Sequence, residues 1–391
     1  MMRKWILSLI LLPELLFPQP DLDLNSDYVY LMDADSGQEL FSRNAEEKMY
    51  PASMTKVMTA VVVLENTDSL WETVPVTNEM WAGLIEANAS TAGFLPGTEP
   101  TVMDLLYGVL LPSGADAVNA LCIHTAGSTG AFVERMNAKA AELGMYSTHY
   151  TNPTGLHDPD HWSTAKDTAV LFRYALQNPV FAEIINTAEY TASTGLVMKS
   201  TVNTHAAYIE GFQGGKTGYT IPAGVCLASH AYINGMHVVL VSAHSPYAGG
   251  NVVDADTVYS WLRNNIEKRI LLRKGEVLAR IAFQDSRDEE SMTIIADQDV
   301  VLDLPYGADI QFHEEKTDVL QTPVQEGTTL YHGTITVNGR TVYEQSDLLD
   351  HEIRRSLPRW LYRTGREALQ RYRFVLLALV IALILLRRRR S

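Results

Sequence analysis

The chain has 391 residues, 46% of them hydrophobic and 20% charged, which is enough apolar material for a large domain plus a smaller one and excludes a disordered chain. Its net charge of −15 is unevenly spread, because eleven arginines against two glutamates follow Asp350 and leave a strongly acidic body. Such a body lacks the basic face that phosphate binding needs, so nucleic acid is excluded as a partner.

Residues 1–20 open with Arg3 and Lys4 ahead of an apolar run and read as a signal or export segment. Pro13 and Glu14 interrupt it, and no small-residue cleavage site is evident before Pro20. From Asp27 the alternation through Met32 and the turn Asp35-Ser36-Gly37 predict a hairpin that reaches Phe41. The pattern predicts a helix over 53–65 whose body is apolar nearly all round, so it belongs in the core. Helices follow at 102–111 and 115–126, separated by Pro112-Ser113-Gly114, and then at 130–143 and 164–177. Strands return after Val197, and 225–243 forms a hairpin around Asn234-Gly235. A closing helix is predicted over 252–270. First and last strands can pair with the central helices packed on them, giving an α+β antiparallel sheet and helix sandwich over 25–270.

Residues 275–350 change to short strands and turns, one hairpin turning at Asn338-Gly339, and predict a small all-β domain. Residues 356–391 begin with an arginine-rich stretch on which Trp360, Leu361, Leu369 and Tyr372 make a partial apolar face. They end in thirteen apolar residues and four arginines. Thirteen residues make a helix of roughly 20 Å, short of the ~30 Å hydrocarbon core, a gap that snorkelling arginines at both ends would cover. The segment is read as a C-terminal membrane-anchor helix, either spanning or interfacial. Two cysteines, Cys122 and Cys226, are too few for a disulfide scaffold and read as small buried hydrophobes, with one bridge as the alternative.

The chemistry starts at Ser53-Met54-Thr55-Lys56. Residues three apart share a helix face, so the lysine amine reaches the serine hydroxyl. A serine is a poor nucleophile until a neighbouring base takes its proton, and a lysine serves only if burial or nearby positive charge lowers its pKa. The apolar helix that Ser53 opens provides that burial. A second match, Ser163-Thr164-Ala165-Lys166, reads as a helix N-cap. Two more pieces follow: Ser113-Gly114-Ala115 between helices, and Lys216-Thr217-Gly218-Tyr219-Thr220 on a glycine-preceded strand that suits a sheet edge approaching a ligand. His157, Asp158, Asp160 and His161 read as part of a structured loop, with a metal cluster as the alternative, and Asn88-Ala-Ser90 as a chance glycosylation pattern.

In this order and spacing, the three pieces resemble the Ser-x-x-Lys, Ser-x-Asn and Lys-Thr-Gly set of penicillin-binding proteins and serine β-lactamases. The resemblance is closest to the low-molecular-mass D-alanyl-D-alanine carboxypeptidases and covers about residues 25–265. Tyr50-Pro-Ala-Ser53, Asp104-Leu-Leu-Tyr-Gly108 and Asn152-Pro-Thr-Gly-Leu156 also match in context. It implies a penicillin-binding fold, a small β domain and a membrane anchor on the extracytoplasmic face of a bacterial membrane. It further implies cleavage of the terminal D-alanine from peptidoglycan stem peptides, and reaction with β-lactams, without metal or cofactor. By position, Ser53 would be the nucleophile, Lys56 its base and Ser113 a proton relay. Lys216 and Thr217 would hold the substrate carboxylate in the Lys216-Thr217-Gly218-Tyr219 run, and the amides of Ser53 and Tyr219 would form the oxyanion hole.

Ala115 departs from the family, which has an asparagine there whose amide touches substrate and the lysine. An enzyme with a reduced rate or an altered donor preference is therefore expected, with a wall-binding protein that has lost activity as the alternative. A β-lactamase would need a group that activates deacylating water, and no Glu-x-x-x-Asn element stands between Ser113 and Lys216.

Overall fold

The computed structural model describes residues 5–10 and 19–388 of the chain. It divides into a unit of Phe17–Lys268 with Asp303–Tyr306, and a unit of Arg269–Leu302 and Gly307–Ser391 with Met1–Leu16. The chain order opens β1 (Trp5–Ile10), β2 (Tyr28–Asp33), β3 (Glu39–Arg43), α1 (Lys56–Asn66), α2 (Val102–Leu110) and α3 (Ala115–Ala126). Next come α4 (Thr129–Glu142), α5 (Ala165–Leu176), α6 (Pro179–Asn186), β4 (Glu189–Thr191) and β5 (Val197–Lys199). The first of these two units closes with β6 (Phe212–Thr220), β7 (Gly224–Ile233), β8 (Met236–Ser245) and α7 (Gly250–Asn265).

Five of these strands form an antiparallel sheet in the order β3-β2-β8-β7-β6, with β6 on an edge. First and last strands do meet: β2 runs against β8 from Tyr28 opposite Ala243 to Asp33 opposite Val238. Strand side chains alternate between faces, and here both faces are apolar. Tyr30, Met32, Val239 and Val241 enter one core with the residues of α1 to α6, while Val29, Leu31, Val238 and Leu240 enter another with Ala255, Val258 and Leu262 of α7. The helix α1 lies inside the first core, where Met58, Ala60 and Val63 are fully buried, as its apolar girth predicts.

Two element readings need correction. The closing helix ends at Asn265, and Ile266–Leu272 is a strand instead of its last turns. The Asn264-Asn265 pair weakens the helix there, and the β-branched and long apolar residues that follow suit a strand. Helix α6 was not anticipated, although its start carries a capping signal: the Asn178 side chain accepts from Val180 N at 2.9 Å, with Pro179 in the first turn.

The second unit is built mainly from β strands. After β9 (Ile266–Leu272) come β10 (Val277–Gln284), β11 (Ser291–Ile295), β12 (Val300–Pro305), β13 (Ile310–Lys316), β14 (Val319–Gln321), β15 (Thr329–Val337) and β16 (Arg340–Leu348). One sheet has the order β1-β16-β15-β13 and another β11-β10-β14, around a core that includes Ile281, Ile294, Leu330 and Leu349. Of the export segment, only Trp5–Ile10 and its last two residues are described. Trp5–Ile10 pairs antiparallel with β16, from Trp5 opposite Leu348 to Ile10 opposite Tyr343. A short apolar run satisfies its backbone at a sheet edge as readily as it fills an export segment. Residues 1–4 and 11–18 lie outside the described part.

The C-terminal segment, read as a basic stretch plus an apolar anchor, is one helix, α8 (Leu357–Arg388). Among the described residues no helix is long and apolar enough to cross a membrane, so the expected spanning anchor finds no support here. Arginines bound the apolar run too closely for a full hydrocarbon-spanning window. Cys122 and Cys226 are both free and buried, and burial pushes the Cys226 thiol up to about 12.

Candidate active site

Ser53 sits on a 3-10 turn, Ala52–Thr55, that runs directly into α1. In such a turn residues three apart eclipse, which places the amine of Lys56 over the hydroxyl of Ser53. Lys56 Nζ lies 3.0 Å from Ser53 Oγ and donates to the carbonyl of Thr154 at 2.6 Å. Lys56 is buried, and desolvation lowers its pKa to about 7, against a smaller opposing pull from the Asp116 carboxylate. The pair is therefore a hydroxyl beside an amine that is substantially neutral at physiological pH.

A second lysine and serine face this pair. Ser113 lies between α2 and α3 with φ at +66°, a left-handed conformation that costs a non-glycine residue energy and re-aims its side chain. Lys216 Nζ donates to Ser113 Oγ at 2.9 Å and to the carbonyl of Thr217 at 2.9 Å. Burial, and then the positive charge of Lys56, push the Lys216 amine well below its ordinary value. Thr217 shares a 2.6 Å hydrogen bond with Thr201. Gly218 follows on β6, where a Cβ would come within 3.1 Å of Ser53 N and 3.0 Å of Pro51 O. A glycine lets the edge strand approach the Ser53 turn this closely without displacing a neighbour. Tyr219 follows with its side chain exposed.

Thus Ser53, Lys56, Ser113, Lys216, Thr217, Gly218 and Tyr219 are brought together around one cleft. On one side of Ser53 the cleft has a volume of about 870 Å³ and is bordered by Ser113, Thr201, Thr217 and Tyr219. On the other it continues for about 340 Å³ past Asn88, Ala115, Leu156 and His157. Ala115 presents a methyl group to this second half.

Sequence reasoning expected a structured loop near the site at 152–161 but missed the contacts by which it and the 90–94 loop support the pair. The Asp116 carboxylate accepts from the amides of Ala92, Gly93 and Phe94 at 2.7, 2.9 and 3.0 Å, clamping that loop to the first turn of α3. Ala115 N donates to Ser90 O at 2.8 Å and ties the same loop at a second point. Beneath the Ser53 turn runs the 151–161 loop. Asn152 Oδ1 accepts from Gly155 N at 2.8 Å, Thr59 donates to Pro153 O at 2.6 Å, and Gly155 has φ at +78°. His161 Nδ1 accepts from Thr151 N at 3.1 Å, so Nε2 carries the proton and donates to Thr55 Oγ1 at 2.8 Å. Burial lowers its pKa to about 4 and keeps it neutral. The other residues of the suspected metal cluster have their own partners: Asp158 Oδ1 accepts from Asp160 N, and His157 packs edge-on to Tyr50.

The second Ser-x-x-Lys differs in kind. Thr164, not Ser163, caps α5 by accepting from Asp167 N at 3.0 Å, while Lys166 pairs with Glu46. Ser163 instead bonds with Thr148 and Thr168.

Residues 17–246 match the sequence pattern of a family described as D-alanyl-D-alanine carboxypeptidase. The chain is 28% identical over 310 residues to the D-alanyl-D-alanine carboxypeptidase DacF of Bacillus subtilis, covering 77% of this chain and 78% of the relative. It is 36% identical over 236 residues to DacB2 of Mycobacterium tuberculosis, also a D-alanyl-D-alanine carboxypeptidase, covering 59% of this chain and 79% of that one. The fold is similar to that of penicillin binding protein 5 from Haemophilus influenzae, with a TM-score of 0.69 and 25% identity over 86% of this chain and 99% of the other.

Proposed function

The chain belongs to the D-alanyl-D-alanine carboxypeptidase family, and on that premise we propose that it is a serine D,D-carboxypeptidase that acylates on Ser53. Its substrate is a peptidoglycan stem peptide ending in D-Ala-D-Ala, and β-lactams react as substrate mimics. Lys56 Nζ takes the Ser53 proton as Oγ attacks the carbonyl carbon of the penultimate D-alanine. The amides of Ser53 and Tyr219 stabilise the oxyanion, each donor worth about 3 kcal/mol. Ser113 relays the proton from Lys56 to the departing nitrogen, so D-alanine leaves as a neutral amine and an ester remains on Ser53. Water then hydrolyses that ester and returns the proton to Ser53.

Lys216 and Thr217 hold the terminal carboxylate. A carboxylate beside Lys216 favours its charged form, and that charge in turn disfavours a proton on Lys56. Substrate binding thus keeps the base neutral when it is needed. The observation that carries this reading is the 3.0 Å contact between Ser53 Oγ and a buried amine whose pKa is lowered to about 7. The methyl of Ala115 supplies no hydrogen bond, which fits a reduced rate.

The basic tail supports a place at the outer surface of a bacterial membrane. The charged, apolar start of the chain supports export. On α8, Leu361, Leu369, Tyr372, Phe374 and Leu377 are exposed among arginines, which supports an interfacial anchor over a spanning one.

The test is incubation with a fluorescent penicillin, beside Ser53→Ala, and measurement of D-alanine released from a D-Ala-D-Ala pentapeptide. Persistent label on the parent, absent from Ser53→Ala, with D-alanine release is expected. A parent protein that takes no label and releases no D-alanine overturns the reading.

A further inference from the structure

Asn88 borders both halves of the cleft together with Ser53. Its side chain is exposed and has no hydrogen-bond partner among the described residues, while its backbone is held at φ +47°. Asparagine tolerates a left-handed backbone better than most residues, and a fixed direction for its side chain needs only that the loop be supported. The support is present, since Ala115 N holds Ser90 O, two residues on, and Asp116 holds the amides of 92–94. The loop therefore presents one free carboxamide to the half of the cleft where Ala115 offers only methyl. The other carboxamide bordering the cleft, on Asn251, is buried and donates to Cys226 O at 3.1 Å.

A peptide substrate brings amide groups into that half, and each needs a hydrogen bond to replace the water it loses. A carboxamide serves well, because it both donates and accepts. We infer that Asn88 is a substrate-binding residue, donating from Nδ2 to the amide carbonyl on the N-terminal side of the penultimate D-alanine. This rests on Ser53 being the nucleophile and identifies what reads the acyl donor beside it.

Two β-lactams isolate the contact. Benzylpenicillin carries an acylamino carbonyl at the equivalent place, whereas 6-aminopenicillanic acid has a bare amine. Acylation rates of the full chain, Asn88→Ala and Asn88→Asp are measured by competition with a fluorescent penicillin, with melting temperatures to confirm folding. Both variants should acylate about tenfold more slowly with benzylpenicillin, as expected for the loss of one substrate hydrogen bond, and within twofold of the parent with 6-aminopenicillanic acid. Equal effects on both drugs, or none on either, overturn the role of Asn88 while leaving Ser53 chemistry intact. A parent that no β-lactam labels overturns the nucleophile reading and Asn88 with it.

Discussion

In the proposed mechanism Lys56 accepts the Ser53 proton only when its own amine is neutral, and its pKa of about 7 sets where that happens. Acylation by penicillin should therefore rise about tenfold per pH unit below neutrality and level off above it. Asp116 opposes the shift, because its negative charge favours the protonated amine. Asp116→Asn should then move the acid limb to lower pH, and an unmoved limb in stopped-flow acylation would contradict this electrostatic account. The same variant loses a charged acceptor for three amides and should cost about 1–3 kcal/mol of stability, seen in urea denaturation. The Ser53 and Lys56 pairing was legible because three residues of separation fix it locally. Ser113 and Lys216 stand 103 positions apart, so no spacing rule joins them, and only the family resemblance did. Thr154 reaches Lys56 through a backbone carbonyl, a contact that no side-chain pattern encodes.

At the level of elements, the Ser53 turn is held between the edge strand β6 and the 151–161 loop. Gly155 is the tightest point of that packing: a Cβ would fall 1.9 Å from the carbonyl oxygen of Ala52, and φ is +78°. Gly155→Ala adds both a clash and a left-handed alanine, so it should destabilise by about 2–4 kcal/mol. Because Ala52 precedes Ser53, penicillin acylation should slow as well. A variant that melts and acylates like the parent would show that the loop yields at no cost. Long periodic helices such as α1, α3 and α5 were legible from their apolar faces, and the Asn234-Gly235 hairpin from its turn. The last residues of the expected closing helix were not. Ile266–Leu272 satisfies helical and strand patterns alike, and pairing with a strand distant in sequence decides between them. The eight residues of α6 are too few for periodicity to stand out, although Asn178-Pro179 marks its start.

Across the whole molecule, the asymmetry of charge bears on where the protein works. The net charge of −15 coexists with an arginine-rich C-terminal helix, so anionic surfaces should repel the body and attract α8. Arg359 and Arg363 are engaged with Glu290 and Asp285, which docks the start of the helix on its own unit. Arg366, Arg371 and Arg373 are exposed on the following turns, beside Leu369, Tyr372 and Phe374. An interfacial helix gains both from burying such apolar groups and from roughly 1 kcal/mol per arginine near anionic lipid. The full chain should therefore bind vesicles containing phosphatidylserine more tightly than neutral ones, and lose that preference as salt shortens the screening length. Replacing Arg366, Arg371 and Arg373 by glutamine should weaken binding to the anionic vesicles by about a hundredfold. Release of D-alanine from a soluble pentapeptide should stay unchanged, because these residues belong to a different unit from Ser53. Equal binding of parent and triple variant at low salt would leave the apolar face alone to hold the membrane.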